Sequence, residues 1–175
     1  LVQNDSIDFS FEKLPFPLDE SSIAGYVAHS DSELNISDAY QLPADAPYKF
    51  NRSFDQKTGY RTKSILAIPL TNKQNEVFGV LQFINRKKAR SLKISDERSA
   101  LAYTLPFDSD INILLRALAS QASIAIENTV LQSDIKALFE GFVYAAVSAI
   151  EQRDPTTSGH SFRVADLCVD LATSV

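Results

Sequence analysis

A chain of 175 residues, 45% of them hydrophobic, can bury the core of one domain and the start of another, but not two full domains. Its 17 basic and 22 acidic residues leave a net charge of −5, which excludes a broad nucleic-acid or anionic-membrane surface built on clustered positive charge. The lone Cys168 excludes an internal disulfide and reads as a core thiol. With no cysteine and histidine cluster at zinc-ligand spacing, it points to a reducing, cytoplasmic setting.

The first half is broken by Pro15, Pro17, Gly25, Pro43, Pro47 and Gly59 into short pieces, among which Leu1 to Gln3 and Ile7 to Phe11 alternate like strands. Ser21 or Ser22 is placed to cap a short helix through Ile23, Ala24, Tyr26 and Val27, since a serine oxygen accepts from the unpaired amides of a first turn. Ile65 to Leu70 and Val77 to Asn85 are dense in branched and aromatic residues and flank the polar turn Thr71 to Glu76, so they predict an antiparallel hairpin. Pro69 belongs at an edge or a bulge, and Gly79 marks a close approach to the backbone. From Arg86 to Pro106 no clean period appears, which predicts a long surface loop. Its cations Arg86, Lys87, Lys88, Arg90 and Lys93 read as solvated.

From Asp110 the pattern Ile111, Leu115, Leu118, Ala122, Ala125 is helical, with no proline before Pro155. A helix to about Gln152 would span on the order of 60 Å at 1.5 Å per residue, a length that connects domains or pairs with a twin, and Gly141 is its weak point. Pro155 and Gly159 flank a turn before a last amphipathic helix through Phe162, Val164, Ala165, Leu167, Cys168 and Leu171. The longest nearly apolar stretch, Gly141 to Ile150, is far below the roughly 20 residues of a membrane-spanning helix. Starting at Leu1 and stopping inside the amphipathic Ala172-Thr173-Ser174-Val175, the chain reads as a piece cut from a longer protein.

Three stretches, Ser21-Ser22-Ile23-Ala24-Gly25-Tyr26-Val27, Leu34-Asn35-Ile36-Ser37-Asp38-Ala39-Tyr40 and Phe54 through Leu66, resemble a GAF domain of the cyclic-nucleotide phosphodiesterase type. Val77 to Asn85 and Leu118 to Asn128 continue the likeness in order, so that it covers about Leu1 to Leu131 and lacks the family's first helix and strand. The resemblance implies an α+β fold: an antiparallel sheet flanked by helices, with a lidded small-molecule pocket on one face, running through a long helix into a short all-α stub. It assigns ligand contacts to Asn4, Asp5, Ile23, Ala24, Asp55, Thr58, Thr62 and Gln82, a mixture of apolar wall and convergent polar groups suited to a purine-like ring. Gln82 stands where relatives often carry glutamate, which changes the hydrogen-bonding code. The alternative for these residues is local: Asp55 and Thr58 capping a turn, Thr62 closing a strand end, Gln82 facing solvent. The family's bracing motif survives as Asn85, Arg86 and Phe107, but Ile111 and Asn112 occupy its acidic positions and Asp110 lies one residue early.

The run Ala149-Ile150-Glu151-Gln152-Arg153-Asp154-Pro155-Thr156-Thr157-Ser158-Gly159-His160-Ser161-Phe162-Arg163-Val164-Ala165 resembles the opening of an HD-GYP metal-dependent phosphohydrolase domain. That resemblance makes His160 a ligand of divalent iron or manganese in a parent protein, with the remaining ligands beyond Val175, and leaves this stretch inactive by itself. Thr156, where some members carry glutamate, implies a two-metal centre. The local alternative is Asp154 capping a helix that carries an unliganded His160.

The two resemblances together imply residues 1–131 as GAF sensory domain, 132–138 as helical linker and 139–175 as the start of HD-GYP. They describe a regulatory fragment of a bacterial cyclic dinucleotide (c-di-GMP) phosphodiesterase, binding a small molecule such as a cyclic nucleotide and dimerising through the Asp110 to Gln152 helix. The competing expectation is a ligand-free GAF module for dimerisation or protein interaction.

Overall fold

The computed structural model describes Ser6, residues 19–151 and residues 159–174. The strands expected at Leu1 to Gln3 and Ile7 to Phe11, the turn at Pro155, and Asn4 and Asp5 lie outside the described residues. The chain divides into two compact units, Leu1–Ala125 and Ile126–Val175.

Asp19 opens the described part of the first unit. Its carboxylate accepts from the amide and hydroxyl of Ser21, and its carbonyl accepts Ser22 N–H at 2.8 Å. Helix α1, Ile23–Ser30, then starts on the Ser22 cap, whose hydroxyl accepts Gly25 N–H at 2.9 Å. Gly25 is required here, because a Cβ would stand 2.1 Å from the Asp19 carbonyl oxygen.

Strands β1, Leu34–Ile36, β2, Ile65–Thr71, and β3, Val77–Ile84, form an antiparallel sheet in the order β1-β2-β3. The expected hairpin is present, with Ile65 opposite Ile84 and Ala67 opposite Gln82. Pro69 sits beyond the reach of β1, which pairs only with Ile65 to Ala67, so its missing N–H breaks no ladder bond to a described strand. The register shifts at Leu70/Thr71. Gly79 does not mark a close approach: a Cβ there would meet Leu70 at an ordinary 3.5 Å.

Alternation along β2 splits the core. Ile65 and Ala67 join Ile23, Val27, Ile36 and Ala39 on the α1 side, while Leu66, Ile68 and Leu70 join Phe107, Leu115 and Ala119 on the other. Each fully buried valine, leucine, isoleucine or phenylalanine among them contributes roughly 1.5–3 kcal/mol, and each alanine less.

Residues 86–106 are not the unstructured surface loop expected. They contain β4, Arg86–Lys87, helix α3, Glu97–Tyr103, and β5, Thr104–Leu105, which pairs with β4. Asp96 and Ser99 form a capping box at the start of α3. Ile94 and Ala100, both fully buried, pack with Tyr60 and half-buried Phe54. The period was hidden because only these two apolar residues carry the packing. Part of the basic run is tied to backbone carbonyls: Lys87 Nζ donates to Leu92 O at 2.9 Å and Lys88 Nζ to Ala102 O at 2.6 Å.

Helix α4, Ser109–Glu151, is continuous, and Gly141 does not break it. Its sheet-facing stripe is Ile111, Leu115, Ala119 and Ser123, at spacings of four. Leu118 and Ala125, expected in that stripe, are exposed. Helix α5, His160–Thr173, carries Cys168 on its exposed surface, so this thiol is not a core residue. No helix among the described residues is long and apolar enough to cross a membrane.

Candidate functional site

Helix α2, Ser53–Thr58, starts where Asn51 Oδ1 accepts Ser53 N–H at 2.9 Å and ends at Gly59, whose φ of 72° places it in the left-handed region. One turn in, Asp55 points inward and is only 4% exposed. Oδ1 accepts the Thr62 hydroxyl at 2.9 Å, and Oδ2 accepts Thr62 N–H at 2.7 Å and the Tyr40 hydroxyl at 3.0 Å. Asp55 and Thr62 are thus joined directly, as one polar centre that ties α2 to the lead-in of β2.

Tyr40 links this centre to the α1 face. Its ring packs on the cluster of Ile23, Ile65 and Ala67, 5.4 Å from Phe50, with the Arg61 guanidinium 3.4 Å above its centroid. Burial raises the Tyr40 pKa first, and the hydrogen bond to Asp55 adds to the rise. Arg61, itself 8% exposed, donates to Asp38 Oδ1 at 3.2 Å and to the Thr62 carbonyl. Its Nε has no hydrogen bond and stands 3.8 Å from the Glu97 carboxylate.

The other expected residues divide. Ile23 is buried at the start of α1, with Ala24 half-buried beside it. Gln82 is half-buried opposite Ala67, which places it on the same face as Ile23 and Ile65. Thr58 works locally: its hydroxyl donates to Phe54 O at 2.9 Å and accepts Tyr60 N–H at 3.3 Å.

Sequence reasoning passed over Tyr40, Arg61 and the role of Asn85. Asn85 is 5% exposed with φ 57°. Its Oδ1 accepts Lys63 N–H at 2.6 Å, and its Nδ2 donates to Tyr60 Oη at 2.9 Å and Arg61 O at 2.8 Å. An asparagine ending a strand run was the available signal, because asparagine tolerates positive φ. The brace keeps an acidic partner outside the motif's acidic positions. Asp108, not Asp110, Ile111 or Asn112, meets Arg86: Nη1 donates to Asp108 Oδ2 at 2.5 Å and to Pro106 O at 3.0 Å. Asp108 Oδ1 also accepts Ile111 N–H at 3.1 Å, and Arg86 first, then this amide, hold its carboxyl below the usual range.

In the second unit, Glu151 accepts Gly159 N–H at 2.6 Å and Ser161 N–H at 3.0 Å, anchoring the start of α5, and these two amides lower its pKa. His160 is exposed on the first turn of α5. Among the described residues no three His, Cys, Asp or Glu side chains gather to hold a metal ion, so the residues present do not by themselves fit an iron or manganese centre.

Around Asp55, the apolar wall of Ile23, Ile65 and Ala67 meets a small polar centre whose groups are paired with one another. Residues 4–126 match the GAF domain family. The chain is 40% identical over 85 residues to the dual 3',5'-cyclic-AMP and -GMP phosphodiesterase 11A of Takifugu rubripes, covering 49% of this chain and 9% of that protein. It is 39% identical over 83 residues to the dual 3',5'-cyclic-AMP and -GMP phosphodiesterase 11 of Drosophila melanogaster, covering 47% of this chain and 5% of that protein. Among solved structures, it is similar to the GAF domain from a phosphoenolpyruvate-protein phosphotransferase of Coxiella burnetii at 20% identity and TM-score 0.47, covering 69% of this chain and 58% of that one. The GAF region of a membrane protein of Geobacter sulfurreducens gives 20% identity and TM-score 0.42, over 64% of this chain and 60% of that one.

Proposed function

Because the chain belongs to the GAF domain family, we propose that its first unit is a sensory module that binds a small molecule of the cyclic-nucleotide class. One observation carries this reading: Ile23, Ala67 and Gln82 share a sheet face that Tyr40 joins to the buried Asp55 and Thr62. The curated relatives at about 40% identity are phosphodiesterases acting on cyclic nucleotides, which supports the ligand class. Ile23 and Ala24 would wall the ring, with Asp55, Thr62 and Gln82 as its polar partners and Thr58 at the rim. Asn4 and Asp5 would complete the contacts.

Helix α4 would relay occupancy, since it packs Leu115 and Ala119 under the same sheet and continues to Glu151. A relay of this kind needs a ligand that prefers one of two helix arrangements. The output would be an HD-GYP phosphohydrolase acting on cyclic dinucleotides in a bacterial cytoplasm, a reading supported by the run from Ala149 to Ala165. His160 would join an iron or manganese centre completed by residues outside this chain.

A second reading has its own support. Leu131, Ile135, Leu138 and Phe142, spaced four, three and four along α4, are all more than half exposed, as a pairing seam for a twin helix would be. The module would then dimerise through α4 with or without a ligand.

Calorimetry and thermal shift with cGMP, cAMP and c-di-GMP test the ligand reading. Saturable binding that is lost in Thr62→Ala is expected, and silence from a folded protein would leave the dimerisation reading in its place.

A further inference from the structure

Tyr40 holds an acceptor that a ligand would need. Asp55 receives three hydrogen bonds, two from Thr62, seven residues along the same connection, and one from Tyr40 on the separate segment after β1. The main chain around Tyr40 is fixed by other bonds: its own N–H donates to Asp38 Oδ1 at 3.0 Å, and Ala39 N–H donates to Lys63 O at 2.8 Å. The Tyr40 hydroxyl can therefore leave Asp55 by side-chain rotation, without unmaking the backbone. Its ring packs against cations and a second ring, with the Arg61 guanidinium 3.4 Å and the Arg52 guanidinium 4.4 Å from the centroid, and Phe50 5.4 Å away.

We propose that Tyr40 is an internal stand-in for the ligand, its hydroxyl on Asp55 and its ring beside Arg61 and Arg52 occupying the place of a planar heterocycle that brings an N–H donor to the Asp55 carboxylate. Binding exchanges one donor and one ring for another, and the displaced Tyr40 side chain gives up its hydrogen bond to α2. This rests on the cyclic-nucleotide reading of the site and specifies it further: bases with an N–H donor on the edge facing Asp55 are selected, and Tyr40 sets the affinity by competing with them.

The test compares wild type with Tyr40→Phe, which keeps the ring beside the two guanidiniums and loses only the hydroxyl. Titration with cGMP and with cAMP is expected to give about tenfold tighter binding for Tyr40→Phe, the effect of removing one competing hydrogen bond to a carboxylate. Independently of the variant, NMR of wild type should show the contact between the Tyr40 and Phe50 rings lost when cGMP is bound. Equal affinity of the two proteins, weaker binding by Tyr40→Phe, or a Tyr40–Phe50 ring contact that persists with ligand would overturn the stand-in role while leaving the binding site in place. No binding of either nucleotide by two folded proteins would overturn both.

Discussion

Residues 37–62 and residues 126–145 are both supplied with apolar side chains, yet they use them in opposite ways. In the first, Tyr40, Tyr48 and Phe50 pack onto the sheet and the polar atoms of Asp55 and Thr62 are paired internally. Along the second, Leu138 is 74% and Phe142 70% exposed within α4. A folded strap with satisfied polar groups is complete on its own. A helix that leaves its apolar seam in water still has burial to gain from a partner.

Charging the seam should break that contrast most strongly. Leu131→Glu with Leu138→Glu would place carboxylates inside a helix pair, and sedimentation is expected to show a dimer becoming a monomer, with unfolding of the first unit unchanged. A wild type that sediments as a monomer at high concentration would mean the seam has no twin.

Asp55→Ala attacks the other side of the comparison. It leaves the Thr62 amide and hydroxyl and the Tyr40 hydroxyl without their acceptor in a buried site, and should cost about 3 kcal/mol in urea denaturation. Asp55→Asn, which keeps an acceptor oxygen, should lose distinctly less. A loss for Asp55→Ala within experimental error would show that the strap does not depend on this centre.

Gly141→Ala probes α4 where the helix is intrinsically weakest. Nothing lies within 4 Å of the added Cβ, so stability of the second unit should rise by about 1 kcal/mol by thermal melting. A fall would reveal a neighbour that approaches Gly141 in the assembled protein.

The mildest perturbation is pH. The folded pKa of Glu151 is depressed below its ordinary 4.5, so its contribution to α5 is present above that value and is lost as pH falls through the lowered one. Protection of the Gly159 and Ser161 amides, taken relative to the intrinsic exchange rate at each pH, should fall over that acid range, while unchanged protection would remove Glu151 as the anchor.

Much of this was legible in the residues because it depends on local rules. Ser22 caps α1 through a hydroxyl three residues from its amide partner, the hairpin follows from two branched runs around a polar turn, and α4 follows from its period. Asp55 and Thr62 were legible as a pair of interest through resemblance, and the structure brings them together. What escaped depends on contacts distant in sequence. Tyr40 meets Asp55 across 15 residues, Asn85 meets Tyr60 across 25 and Arg86 meets Asp108 across 22, separations that no periodicity reports. The segment from 86 to 106 escaped for a related reason: its short helix hides only Ala100 fully, which is too little to set a visible pattern. The stripe of α4 was misjudged at Leu118 because a helix with apolar residues on two sides gives more than one plausible face.

The sensory reading rests on small-molecule binding where the sheet face of Ile23 and Gln82 meets Asp55 and Thr62. Its most direct test is an NMR titration of the isotopically labelled chain with cGMP, following backbone and methyl signals. Saturable shifts centred on Ile23, Ala24, Thr62 and Gln82, with the seam residues Leu131 to Phe142 shifting less, are the predicted result. Signals that stay still at this face while the protein remains folded, or shifts confined to α4, would contradict it.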